Sequence, residues 1–199
     1  MERKRIGKAK SAGRPRSGAS HEAILRASIE LTREIGYDAL TMEGIAARAG
    51  VGKATIYRWW ESKDALLAEA LTPIMSAIPV PDTGSIKGDL LAATASTMRI
   101  YADPATKALL SGLVAAMARS PLVADAVRSG FVAARRQAIR VLLERGVARG
   151  ELRRKLDYEL ALDLLNGPQF YRFLITGGPI DDRLTRSLVD VFLRGFAAS

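Results

Sequence analysis

The chain has no cysteine and a single histidine, His21, among its 199 residues. Without thiols there is no disulfide, no thiolate metal site and no thiol nucleophile, and one imidazole excludes a histidine-rich metal centre. No apolar run approaches the ~18–20 residues of a membrane span, so no membrane partner is expected. The start, MERKRIGKAKSAGRPR, is charged and no apolar stretch follows it. A signal peptide is therefore not expected, and the cytoplasm is the default compartment. Paired carboxylates in a recognisable setting and phosphate-cradling loops are missing too, so an all-helical hydrolase or transferase lacks its parts and no cofactor is expected. No strand-like alternation and no internal repeat is found.

What is present is apolar residue, 48% of the chain, enough for a buried core, and a formal net charge of +9. The charge is unevenly spread. Arg3, Lys4, Arg5, Lys8, Lys10, Arg14 and Arg16 oppose only Glu2, seven positive charges against one negative, a net of +6 in sixteen residues. With Gly7, Gly13, Pro15 and Gly18 and almost nothing apolar, residues 1–19 are expected to be a disordered basic arm. A polyanion is its natural partner; a solubilising tail, in part a translation-start artefact, is the alternative. The AGRPR segment favours the first, because Arg14 and Arg16 in extended chain fit a narrow minor groove of enhanced negative potential.

The rest reads as helices. Apolar residues recur at Ile24, Ala27, Leu31 and Ile35, with Ser20 as the expected N-cap and Gly36 as the stop. Two short helices follow. The stretch TMEGIAARAGVGKATIYRWWESK has a helical pattern from Met42 to Arg48, a break at Gly50, and a second pattern from Gly52 to Trp60. Ile45, Ala46, Val51, Ile56 and Trp59 stand where two steeply crossed helices touch, and Gly50 supplies the positive φ for the tight reversal. Outward positions carry Lys53, Thr55, Tyr57 and Arg58, side chains suited to phosphates or base edges. This is the pattern of a helix-turn-helix with double-stranded DNA as partner; a basic structural hairpin is the bland alternative. Ser62 caps a fourth helix with Leu66, Leu67, Ala70, Leu71 and Ile74 buried and Pro73 bending it.

Pro79 to Gly84 forms the clearest break. Five more helices follow, at about Ile86–Tyr101, Pro104–Arg119, Leu122–Arg149, Tyr158–Thr176 and Arg183–Ala197. Pro104 and Pro121 sit near helix starts, where proline is tolerated. Gly130 and Gly146 interrupt the third of these. The expected fold is all-α with about nine helices: residues 20–78 a DNA-binding domain and 84–199 a helical regulatory and dimerisation domain.

From about His21 to Leu71 the chain resembles the DNA-binding domain of the tetracycline-repressor (TetR) family of transcriptional regulators. The resemblance rests on GYDALTMEGIAARAGVGKATIYRWWESKDALL. The Gly-Tyr-x-x-x-Thr lead-in, Ile-Ala-x-x-Ala-Gly-Val, Thr-Ile-Tyr-x-x-Trp and Ser-Lys-x-x-Leu stand at the family's spacing. It implies a homodimer of nine or ten helices per chain, the first three binding DNA and the rest forming a ligand and dimerisation core. It also places Thr41 and Lys63 at flanking phosphates and Lys53, Ala54, Thr55, Tyr57 and Arg58 on the recognition helix. Two positions depart from the pattern: Gly52 stands where Ser or Thr is common, and Ala54 where Gly is. Gly52 removes a helix cap, and the Ala54 methyl is placed to meet a thymine methyl. One of Trp59 and Trp60 is expected in the core of the head, and His21 is expected to be solvated without a role.

In the C-terminal region Met98, Tyr101, Leu113, Met117, Phe131 and Phe170 are candidate lining residues for a small-molecule inducer; plain core packing is the competing reading. Asn166 and Gln169 flank Pro168 as polar anchors. Stripes at Leu160 and Leu164 and at Leu184, Leu188, Val191 and Phe192 suit a two-fold four-helix bundle. A palindromic operator needs two heads about one helical turn apart, ~34–36 Å. The function expected is a dimeric, ligand-released repressor; a ligand-independent nucleoid-associated DNA-binding protein on the same fold is the alternative. The run Arg149, Arg153, Arg154, Lys155 is expected to be a solvated loop.

Overall fold

A computed structural model describes residues 16–76 and 80–198. Its helices are α1 (Arg16–Ala39), α2 (Met42–Arg48), α3 (Lys53–Tyr57), α4 (Lys63–Ser76), α5 (Ile86–Ala102), α6 (Pro104–Met117), α7 (Pro121–Val127), α8 (Ala133–Ala148), α9 (Tyr158–Tyr171) and α10 (Asp182–Phe196). A π-helical turn, Arg128–Val132, joins α7 to α8 without interruption, and a second, Arg172–Thr176, ends α9. Counted as continuous segments, the described residues contain nine helices, as expected, and no strand beyond an isolated bridge between Leu152 and Ala197.

Local chemistry accounts for the boundaries. Thr41, Ser85, Asp103, Ser120, Asp157 and Asp181 each accept a hydrogen bond from a backbone N–H in the first turn they precede, the N-cap arrangement worth about 1 kcal/mol apiece. Ser62 does the same for α4 by accepting from the Ala65 amide at 3.2 Å. Gly36, at φ +81°, breaks α1 where a stop was expected. The other end of α1 differs: it begins at Arg16, so residues 16–19 are helical and Ser20 lies inside the helix instead of capping it. Only Gly18 opposes this extension, at about 1 kcal/mol. Ile35, read as part of the buried stripe, is exposed because the helix breaks directly after it. Residues 1–15, with Arg14, lie outside the described residues, as does the Arg16 side chain.

The cores do not follow the break at residues 79–84. One apolar cluster contains Ile24, Leu31, Ile45, Ile56, Trp60, Leu66 and Leu71, and continues without a gap into Tyr101, Leu109, Leu113, Val127 and Phe131. The second gathers Ile86, Leu90, Ile139, Leu142, Leu162, Val189 and Phe192. Two glycines let the head approach the remainder. A Cβ at Gly112 of α6 would lie 2.5 Å from the Tyr37 ring, and one at Gly130 in the π-helical turn 2.4 Å from the Thr72 hydroxyl oxygen. Tyr37 also donates its hydroxyl to the Asp64 carboxylate at 2.6 Å, so one side chain braces α1 against both α4 and α6.

The second cluster is locked at one end by Asp89, which is fully buried. It accepts from the Thr83 amide (2.6 Å), the Thr83 hydroxyl (2.8 Å) and the Arg149 guanidinium (2.9 Å). Burial opposes its charge, but these donors outweigh it and hold the carboxyl below its ordinary value. Arg149 is thus a structural partner and not part of a solvated loop. Arg153 likewise stacks over the Phe196 ring and donates to the Gly195 carbonyl.

Candidate nucleic-acid interface

The head presents its reading surface through a rigid turn. Gly50 takes φ +67°, the Val51 amide donates to the Ala46 carbonyl at 3.0 Å, and Ile45, Ala46 and Ile56 are buried beneath. Arg48 fastens α2 to α1 through two N–H donors on the Glu34 carboxylate, at 2.8 and 2.5 Å. Gly52 is the N-cap of α3 and makes no side-chain cap, as its missing side chain implies. α3 is only five residues long, too short to hold itself together. It is held by what lies under it.

Trp60, not Trp59, supplies that support. Trp60 is buried and donates its indole N–H to the Glu69 carboxylate at 2.7 Å; Trp59, expected at the helix contact, is 41% exposed. His21 is no bystander either. Its ring stacks on Trp60 at 4.8 Å, meets the edge of Trp59 at 4.8 Å, and its Nε2 lies 3.0 Å from Glu69. A histidine near the start of α1 gave no local hint of this, because its partners come from the far side of the helix-turn-helix.

Above this platform Lys53, Ala54, Tyr57 and Arg58 are exposed and Thr55 is half-buried. Glu43, on α2, engages two of them: its carboxylate is 2.5 Å from the Lys53 ammonium and accepts from the Tyr57 hydroxyl at 3.4 Å. The Lys53 ammonium holds the Glu43 carboxyl below its ordinary value. Arg58 lies over the Trp59 ring, 5.9 Å from its centre. Thr41 is exposed with its oxygen accepting from the Gly44 amide at 3.1 Å, an arrangement that leaves its hydroxyl hydrogen available to donate. Lys63 differs from the expectation. Its ammonium donates to the carbonyls of Tyr37 (3.0 Å), Leu40 (3.1 Å) and Asp38 (3.4 Å) and sits 4.7 Å from the centre of the Tyr37 ring. All three hydrogens are engaged, so Lys63 clamps the end of α1 to the start of α4.

Between α5, α8 and α9 lies a cavity of about 300 Å³. Tyr101, Phe131, Asn166 and Phe170 line it, four of the residues singled out in the sequence. Met98, Leu113 and Met117 do not. Met98 is buried with its sulfur accepting from the Thr185 hydroxyl, and Leu113 and Met117 serve the head-side core because α6 packs on α1 through Gly112. Gln169 is buried with its amide nitrogen on the Leu165 carbonyl and its oxygen without a partner among the described residues. Val132, Arg135, Arg136, Asp163 and Gly167 complete the lining and were not foreseen.

The apolar stripes also divide. Leu160, Leu164 and Val191 are exposed, Leu188 is half-buried, and Leu184 and Phe192 are buried in the protomer, the latter stacked on Phe196 at 4.7 Å. Tyr171 and Ile175 extend the exposed face instead.

Comparison with known proteins agrees with this arrangement. Residues 24–70 match the description "Bacterial regulatory proteins, tetR family", and residues 80–192 match "Tetracyclin repressor-like, C-terminal domain". The chain is 39% identical over 188 residues to the HTH-type transcriptional regulator YdeS of Bacillus subtilis, covering 94% of each protein. It is 32% identical over 170 residues to the DNA-binding transcriptional repressor TetR of Mycobacteroides abscessus, covering 84% of this chain and 88% of that one. The crystal structure of the TetR family transcription regulator SCO0332 superposes with a TM-score of 0.81 at 30% identity, over 88% of this chain and 97% of the other.

Proposed function

The chain belongs to the tetR family of bacterial regulatory proteins and is a DNA-binding transcriptional regulator, not an enzyme; we propose that it works as a homodimeric repressor released by a small molecule. The observation that carries this is the exposed row Lys53, Ala54, Tyr57 and Arg58 on a short helix backed by buried Ile56 and Trp60. Such a helix enters the major groove as a rigid unit, with Lys53 and Arg58 reaching guanine O6 and N7 or phosphates, and Thr41 and Tyr57 giving hydroxyl hydrogens to phosphates. The cations of residues 1–16 add sequence-independent affinity. The cytoplasm, where the DNA is, is its proposed compartment.

Support for a dimer comes from the apolar face that one protomer leaves in solvent: Leu160, Leu164, Tyr171 and Ile175 along α9 and its π-helical end, and Val191 on α10. Pairing these faces about a two-fold axis sets two heads toward successive major grooves. The cavity between α5, α8 and α9 is the inducer site in this reading. A ligand there acts only through a difference in affinity between the DNA-competent and released states; turning 99:1 into 1:99 needs about 5.5 kcal/mol.

Selection from a randomised duplex library tests the proposal. A two-fold symmetric consensus, with half-sites about one helical turn or a multiple apart, is expected. Sequences recovered without symmetry or enrichment would overturn it in favour of unspecific coating of DNA.

A further inference from the structure

Two consecutive arginines on α8 meet opposite surroundings. Arg136 is paired twice, at 2.5 Å from Asp163 and 2.5 Å from Glu159, and Arg140 joins Glu159 at 3.4 Å. Arg140 also meets Glu144 at 3.1 Å, so two cations and three carboxylates close the α8–α9 rim, one negative charge in excess. Arg135 is 6% exposed, lines the cavity, and has no carboxylate within ion-pair distance among the described residues. One N–H, on Nη2, donates to the Ala93 carbonyl at 3.0 Å, while Nε–H is buried without an acceptor among the described residues. Burial pulls the guanidinium below its ordinary pKa, yet from that starting value it remains a cation at neutral pH.

A buried charge with unmet donors is costly unless something supplies the missing anion. Folding alone gives no reason to keep it: a methionine would fill the same space. Apart from Arg136, Asp163 and Asn166, the other walls are apolar or aromatic. Tyr101 and Phe170 meet edge to face at 5.4 Å, and Phe131 and Val132 are carried in by the π-helical turn, a distortion of helices frequent at functional sites. The Tyr101 hydroxyl has no hydrogen-bond partner among the described residues, which leaves a second donor at the wall.

We propose that this cavity takes a small amphipathic monocarboxylate, its carboxylate held by the Arg135 guanidinium fork and its apolar body against Tyr101, Phe131 and Phe170. The inference rests on the inducer reading above and names its ligand class. The charge count selects a monoanion: among the described residues Arg135 is the one uncompensated cation in the lining, so a phosphate dianion would stay half-neutralised. Size follows from volume. At about 30 Å³ for a water-sized group, about 300 Å³ admits on the order of ten non-hydrogen atoms, the size of octanoate or 3-phenylpropanoate. Planar geometry matters as well, since the guanidinium fork matches a carboxylate with two parallel N–H donors.

The test is calorimetric titration of the full chain, without DNA, with octanoate, 3-phenylpropanoate and the uncharged octanamide. The wild type is expected to bind at least one carboxylate ten or more times tighter than octanamide. Arg135→Met should abolish that preference, bringing acid and amide to similar affinity. Where Arg135→Met does not fold, Arg135→Lys, which keeps the charge and loses the fork, should weaken carboxylate binding alone. Equal affinity for acid and amide, no binding of either carboxylate, or a preference that survives at position 135 overturns the proposal. Release of selected operator DNA is then measured separately. Carboxylate binding without release leaves the site assignment standing and sinks the inducer reading, and release by octanamide but not by the acids does the reverse.

Discussion

Lys53 on the recognition helix and Arg135 in the cavity are both cations, and the protein keeps them in opposite states. Lys53 stands in solvent with a resident carboxylate, Glu43, 2.5 Å away. Arg135 is withdrawn from solvent with none among the described residues. The exposed pair is easy to make and to open, since surface ion pairs are worth about 0–1 kcal/mol. In the proposed function, DNA would displace it with many phosphates at once, and the gain would come from number and salt release. The buried cation follows the other logic. One well-matched anion there recovers a desolvation cost already incurred in folding, so a single contact discriminates. In the proposed function, a surface that reads a polymer and a cavity that reads a small molecule would use the same charge in these two ways.

The strongest way to break the contrast is to remove the platform under α3. Trp60→Ala should cost about 3–5 kcal/mol, as large-to-small changes of buried aromatics do, and abolish DNA binding. Because one apolar cluster runs from Trp60 to Tyr101 and Phe131, differential scanning calorimetry should show a single transition at lower temperature. Two separated transitions would make the head and the cavity independent.

Gly112→Ala probes the seam between them. In an open helix the change would stabilise by up to about 1 kcal/mol, but in α6 the new methyl meets the Tyr37 ring. A net loss of about 1–3 kcal/mol in denaturant titration is expected. A gain would mean that Tyr37 can step aside.

Within the head, Arg58→Ala sharpens the division between base and phosphate contacts. It should cost about 1–3 kcal/mol on the selected sequence and relax the preference at one position. Lys53→Ala should weaken all sequences alike and reduce the salt slope by about 0.9. Identical profiles for the two variants, measured by fluorescence anisotropy across salt, would refute this separation of Arg58 from Lys53. The smallest effect belongs to Glu43→Gln. Freeing Lys53 and Tyr57 and removing a negative charge near phosphates should tighten DNA binding a few-fold, under about 1 kcal/mol. Weaker binding would show that Glu43 positions these side chains and does not compete for them.

The head was legible in the chain because its signals are local. Gly50 needs positive φ, Thr41 and Ser62 cap the helices beside them, and Ile45, Ala46 and Ile56 keep the spacing of a crossed pair. Which tryptophan is buried was not legible, since neighbours on a short helix differ only in where the rest of the fold lies. The cavity was half legible. Its aromatic walls, Tyr101, Phe131 and Phe170, stand out in any helical reading, whereas Arg135 does not. A signal existed: Arg135 falls four residues after Phe131 and four before Ile139, both buried, on one face of one helix. Charge at such a position is ordinarily read as a break in the stripe.

Helix number, the turn and the caps at Thr41 and Ser62 follow from periodicity and backbone stereochemistry, which act between near neighbours, and they were settled by the order of the amino acids. Only the tertiary structure decided that the head shares its core with α6 and α7, that Lys63 clamps carbonyls, and that Leu184 and Phe192 turn inward. It also decided that Arg136 finds two carboxylates while Arg135, one residue before it, finds none. Each of these depends on partners brought together from distant parts of the chain. Helical spacing says which residues share a face, but not what that face will meet.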